Sequence, residues 1–98
     1  MNRVVVQYRV KPAMVEENER LVKEVYRQLH ENKPTGFRYA TYKMPDGVTF
    51  MHVAVSEAAD GSSPLSALPA FKNFQAAIKD RCDEMPVVKH VEEIESYF

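Results

Sequence analysis

The chain has 98 residues, enough for a single domain over 1–98 and too few for a second core. Hydrophobic residues at 45% and charged residues at 28% are ordinary globular values and speak against intrinsic disorder. The formal net charge of -1 lacks the basic surplus that phosphate backbones demand, so no nucleic-acid partner is expected.

The lone cysteine, Cys82, excludes an internal disulfide and a multi-cysteine metal site, and it points to a reducing compartment, here the cytoplasm. Residues 1–10 are strand-like and interrupted by Arg3, Gln7 and Arg9, so neither a signal peptide nor a membrane span is read there. Val4 to Val10 is short and rich in β-branched residues, which predicts a first strand. Pro12 suits a first helical turn, and the apolar residues Met14, Val15, Leu21, Val22, Val25, Tyr26 and Leu29 predict a helix from Ala13 to about Asn32. Two i,i+4 pairs, Glu16 with Arg20 and Glu19 with Lys23, are expected on its outer face, and Pro34 ends it.

Gly36 opens a second strand, Phe37 to Met44, and the Pro45-Asp46-Gly47 turn leads into a third, Val48 to Ser56. Ala58 to Ser63 is a small-residue connection, and Ser63-Pro64 can start one short helical turn. A second main helix is expected from Pro69, with Phe71, Phe74, Ala77 or Ile78, and Cys82 as its apolar stripe. Pro86 closes that helix, and Val87 to about Tyr97 reads as a last strand.

The order strand-helix-strand-strand-helix-strand is the ferredoxin-like α+β arrangement, a four-stranded antiparallel sheet with both helices on one face. The period-2 reading puts Val4, Val6 and Tyr8, with Met51, Val53 and Val55, under the helices. Val5, Gln7, Arg9, Phe50, His52 and Ala54 then occupy the opposite face, joined by Phe37 and Tyr39 or else by Tyr42 and Met44. So apolar a face is a poor solvent surface, and a second copy of the chain is the expected cover.

The stretch Tyr8-Arg9-Val10-Lys11-Pro12 before an acidic helix, Gly36 before a hairpin, Phe50-Met51-His52-Val53-Ala54-Val55-Ser56-Glu57 and Leu68-Pro69-Ala70-Phe71-Lys72-Asn73-Phe74 together carry a resemblance. In layout, over nearly the whole chain, they resemble the antibiotic-biosynthesis-monooxygenase type of dimeric α+β barrel. The resemblance implies a homodimer of two ferredoxin-like sheets packed face to face, with a small pocket in each protomer between sheet and helices. It also implies relatives that are cofactor-independent oxygenases of aromatic polyketides and quinols, or haem-degrading enzymes. This chain departs from the pattern in having no tryptophan, and no histidine between Leu65 and Glu84 where haem-degrading members place an axial ligand. Gln7 lies roughly where such enzymes carry an asparagine on the first strand, a partial match.

His52 is the candidate general base for a phenol or enol, since an ordinary imidazole titrates near working pH. The alternative is a hydrogen-bonded structural histidine at an interface or core edge. Gln7 and Arg9 are candidates to orient a carbonyl or enolate oxygen, with an interface ion pair from Arg9 to Glu92 or Glu93 of a partner as the alternative for that residue. Tyr8, Tyr26, Tyr39, Tyr42 and Tyr97, with the five phenylalanines, are candidate aromatic walls, Phe50 and Tyr39 foremost, against the commoner role of aromatics as core. His30, His52 and His90 share no metal-ligand spacing, and neither a nucleophile elbow nor a phosphate loop occurs, so no metal and no cofactor are expected. Three readings remain open: a cofactor-free monooxygenase acting on a small aromatic or quinol-like molecule, a non-catalytic binding protein with the same pocket, and a dimerisation module.

Overall fold

The apolar spacing after Pro12 winds into one short 3-10 turn, Pro12–Met14, and then α1 (Val15–Asn32). The helix ends as Lys33 turns into the left-handed region at φ 45° and returns its backbone N–H to the Leu29 carbonyl. Its outer face is charged, as expected, but the ion pairs differ from those predicted. Arg20 pairs with Glu17, Arg27 with both Glu24 and Glu31, and Glu19 reaches across to Lys43.

A computed structural model of the chain describes residues 2–58 and 63–98. The remaining elements are β1 (Asn2–Val10), β2 (Phe37–Lys43), β3 (Thr49–Ser56), a 3-10 turn at Pro64–Ala67, α2 (Pro69–Ala76), α3 (Ile78–Arg81) and β4 (Cys82–Val91). Most of the expected connection from Ala58 to Ser63 lies outside the described residues. The four strands pair antiparallel in the order β2-β3-β1-β4. This is the ferredoxin-like arrangement, and the sheet is open, with β2 and β4 as its edges.

Sheet residues Tyr8, Val10 and Phe50 meet Val22 and Val25 of α1 and Phe74 of α2 in one core. Gln28 of α1 ties the two main helices together, its side-chain oxygen accepting from the Ala70 amide at 3.0 Å in the first turn of α2. Gly36, at φ 67°, closes the far end of the β2–β3 pair, and a Cβ there would stand 2.8 Å from the Glu57 carboxylate. Among the described residues no helix is long and apolar enough to cross a membrane.

Three expectations need correction. The helix from Pro69 does not run on to Cys82. It breaks at Ala77 (φ -121°, ψ 26°), restarts as α3, and Cys82 becomes the first residue of β4, paired with Val10. Pro86 does not close a helix but lies within β4. Between the pairs Gln7–Val87 and Arg9–Glu84, Tyr8 alone opposes two residues, Met85 and Pro86, so the proline sits in a bulge of an edge strand that needs no ladder donor from it. The last strand accordingly begins earlier and ends at Val91, not Tyr97.

The third correction is the phase of β3. Register pairs Val6 with His52 and Tyr8 with Phe50, so Phe50, His52 and Ala54 face the helices together with Val4, Val6 and Tyr8. Met51, Val53 and Val55 take the open face beside Gln7, Val5 and Arg3. On β2, Tyr39 opposes Ala54 under the helices, while Tyr42 opposes Met51 on the open face. Both phases of β3 are apolar, so alternation alone does not choose between them. The two rings Phe50 and His52 fill the side with depth to take them.

Candidate functional site

Between the sheet and α2 lies a cavity of about 380 Å³. Val4, Val6, Tyr8, Tyr39, His52 and Ala54 form its floor, and Leu65, Phe71, Phe74 and Ile78 its roof. Its size is at the lower end of the ~300–1,000 Å³ usual for small-molecule sites, and its wall is mostly aromatic and aliphatic. The aromatic wall is ordered by ring contacts. His52 stacks on Tyr8 at 5.3 Å and on Tyr39 at 5.6 Å between centroids, and Phe74 meets it edge-on at 5.6 Å.

His52 is 5% exposed, and both ring nitrogens are engaged. Nε2 lies 2.7 Å from the Tyr8 hydroxyl, and Nδ1 lies 2.8 Å from Tyr39 Oη and 2.9 Å from Thr41 Oγ1. Tyr26 Oη stands 2.8 Å from the Thr41 hydroxyl and continues the polar line towards the surface. In the other direction, Asn18 donates through Nδ2 to Tyr8 at 3.0 Å, and Arg81 donates through Nε to Asn18 Oδ1 at 3.1 Å. Arg81 also donates to the Phe74 carbonyl at 2.6 Å and lies 5.0 Å over the Phe74 ring.

Burial governs the electrostatics here. It pushes the His52 pKa down to about 4, so the imidazole is neutral at physiological pH. The Tyr8 hydroxyl is held well above the ordinary phenol range by burial, against an opposing hydrogen bond from Asn18. Tyr39 is raised in the same direction, again chiefly by burial. The cavity thus presents neutral phenols and a neutral imidazole among apolar groups. Such a wall can bind an oxygen substituent by hydrogen bonds without offering a formal charge.

Of the residues singled out in the sequence, His52 and Tyr39 come together in the cavity. The placement of His52 on the open face is overturned, since it packs under α2 against Phe74. Phe50 also lies on the helix side. It is buried against Tyr8 at 5.7 Å and is not among the lining residues. Gln7 and Arg9 stand on the other face of the sheet. Within the chain Arg9 pairs with Glu84 at 3.1 Å and Arg3 with Glu93 at 3.0 Å. Cys82 is buried beside Val10, and burial pushes its thiol up, away from a reactive thiolate. Among the described residues no group of three His, Cys, Asp or Glu side chains converges.

Tyr8 and Tyr26 are among the aromatic candidates, whereas Asn18, Thr41 and Arg81 escaped the sequence reading as members of the site. A signal existed for two of them. Asn18 falls in the stripe Val15, Asn18, Val22, Val25, Leu29, and Arg81 in the stripe Phe74, Ile78, Arg81, each a polar residue at an apolar position.

No protein-family model matches the sequence, and no curated protein matches it. Solved structures do. One described as an antibiotic biosynthesis monooxygenase aligns over 97% of this chain and 100% of its own, with a TM-score of 0.79 at 14% identity. Rv0793 from Mycobacterium tuberculosis aligns over 97% and 96%, with a TM-score of 0.78 at 14% identity. A variant of SnoaB, a cofactor-independent oxygenase from Streptomyces nogalater, aligns over 97% and 94%, with a TM-score of 0.71 at 16% identity. The layout read from the residues and the coordinates agree: this chain has the fold of the antibiotic-biosynthesis-monooxygenase type.

Proposed function

We propose that residues 1–98 form one domain whose cavity binds a small aromatic or quinol-type molecule, and that the protein acts on it as a cofactor-independent monooxygenase. The observation that carries this reading is the cavity itself, about 380 Å³ of aromatic and aliphatic wall with the phenol of Tyr39 and the imidazole of His52 as paired polar contacts. The likeness in fold to SnoaB supports the oxygenase chemistry. Inserting one atom of dioxygen and reducing the other to water takes four electrons. Without a cofactor all four come from the substrate, which must be an electron-rich phenol, enol or related methylene compound. Anthrone meets the balance: its methylene carbon loses two hydrogens and gains one oxygen, giving anthraquinone and water.

His52, on the cavity wall and not on the open face, is proposed as a polar contact for the substrate's oxygen, with Tyr39 beside it and Phe50 supporting Tyr8 from behind. Gln7 and Arg9 are assigned to the open face. There Val5, Met51, Val53, Val55 and the exposed Tyr42 form an apolar surface suited to a second copy, which would complete a dimeric barrel. The buried thiol of Cys82 fits a reducing compartment such as the cytoplasm.

The second reading, binding without catalysis, draws on one observation. With its pKa at about 4 and both nitrogens occupied, His52 is a weak base. Anthrone turnover under heavy-isotope dioxygen separates the two. Acceleration over the spontaneous reaction, with one labelled atom in anthraquinone and one in water, supports the enzyme. Binding without acceleration leaves the binding protein, and absence of binding sinks both.

A further inference from the structure

Behind the cavity wall the side chains of Arg81, Asn18, Tyr8 and His52 form one unbroken line of hydrogen bonds. Amides, hydroxyls and neutral imidazoles can each face either way, so a line made only of them has no fixed sense. A guanidinium only donates, and that removes the freedom here. Asn18 must turn its carbonyl oxygen to Arg81, which leaves its amino group for Tyr8. The Tyr8 oxygen is then already receiving, and its own hydrogen has Nε2 of His52 as its remaining partner. A proton on Nε2 would leave the Tyr8 hydrogen without an acceptor, on a residue that is 2% exposed. No buried side-chain nitrogen or oxygen among the described residues is left without a partner, so such a defect would stand out.

We propose that this line runs one way, from Arg81 to the cavity, holding His52 as its Nδ1–H tautomer and making the Tyr39 hydroxyl a hydrogen-bond donor to the bound molecule. Nδ1–H points at the oxygens of Tyr39 and Thr41. The Tyr39 hydrogen is then not owed to His52, and it can turn into the cavity that Tyr39 lines. The site therefore selects a ligand that presents an acceptor oxygen there, a quinone carbonyl or an enolate, over the same ring system without one. Negative charge developing on that oxygen is met by a hydroxyl already polarised through His52. Arg81 and Asn18 touch no ligand and act as positioning residues.

This inference rests on the reading that the cavity holds an aromatic ligand, and two independent readouts keep the two apart. Proton–nitrogen correlation spectra of the intact protein identify the His52 tautomer with no ligand present. Nδ1–H is expected, and a proton on Nε2 overturns the proposal. In Asn18→Asp the carboxylate still accepts from Arg81 but can no longer donate to Tyr8. The Tyr8 hydrogen turns to residue 18, His52 switches to Nε2–H, and Nδ1 takes its hydrogen from the nearer hydroxyl, Tyr39 at 2.8 Å, ahead of Thr41 at 2.9 Å. An Asp variant that folds and keeps Nδ1–H overturns the assigned sense.

The second readout titrates naphthoquinone and naphthalene. The wild type should hold the quinone more tightly, and Asn18→Asp should lose about tenfold on the quinone alone. Tyr39→Phe makes the same comparison should the Asp variant not fold. Equal affinity for the two molecules overturns the donor role of Tyr39. If neither binds, the ligand-binding reading falls and the selection falls with it, while the tautomer still decides the sense of the line.

Discussion

On the helix side of the sheet one cross-strand row reads Thr41, His52, Val6, Val88. One residue along each strand, the opposite side reads Tyr42, Met51, Gln7, Val87. By hydrophobicity the second row could serve as core as well as the first. What separates them is how polar groups are settled. His52 is buried with hydroxyls from β1 and β2 on its two nitrogens, whereas Gln7 stands exposed. The side with mutually satisfying polar groups and the largest rings is the side the helices cover. Apolar content alone is a weak guide to a sheet with two apolar faces.

The sharpest way to break this contrast is to remove the donor at the buried end of the polar line. Arg81→Met would leave Asn18 Oδ1 and the Phe74 carbonyl without their partner, and a loss of about 3–4 kcal/mol is expected. Urea denaturation gives the value. A loss within 1 kcal/mol would mean that the helix side is held by packing alone.

A second effect comes from pH. The unfolded His52 ring takes up its proton around 6.5, and the folded one resists until about 4. Its folded pKa is depressed, so its contribution is fully present above 6.5 and is lost as pH falls towards 4, where the unfolded state binds the extra proton. The loss across that window is on the order of 3 kcal/mol. Unfolding midpoints of the wild type and His52→Phe, compared over the same pH range, isolate it. Parallel slopes for the two proteins would contradict the burial of a neutral ring.

On the open face the expected change is smallest. Val53→Thr should alter urea unfolding of the isolated chain by less than about 1 kcal/mol, yet weaken self-association measured by sedimentation equilibrium. A wild type that is monomeric at micromolar concentration would instead leave the open face without the partner proposed for it.

The same contrast explains what could be read before any coordinates. α1, the β2–β3 hairpin and the order of elements followed from local signals: Pro12 and Pro34, the Pro45-Asp46-Gly47 turn, and the runs of β-branched residues. Asp46 shows why such signals work, since its carboxylate accepts from the Val48 and Thr49 amides at 2.9 and 2.8 Å without help from the rest of the fold. The phase of β3 and the end of the second helix depended on distant partners. His52 belongs to the core because Tyr8 and Tyr39 wait there, 44 and 13 residues away. The break at Ala77 lets Arg81 turn back to the Phe74 carbonyl and reach Asn18, 63 residues away. Nothing local in Ala76-Ala77-Ile78 announces that, although the polar members of the two apolar stripes do.

Those separations bear on the order of folding events. A line that joins residues 8, 18, 52 and 81 cannot close until β1, β3, α1 and α3 are all in place, because two of its three links are made across long loops. Its bonds should be absent from the rate-limiting barrier, and the hairpin and α1 should form ahead of it. Weakening the line should then leave refolding close to wild-type speed and appear almost wholly as faster unfolding. In that case the lifetime of the native state is set by the same buried groups that form and back the cavity wall.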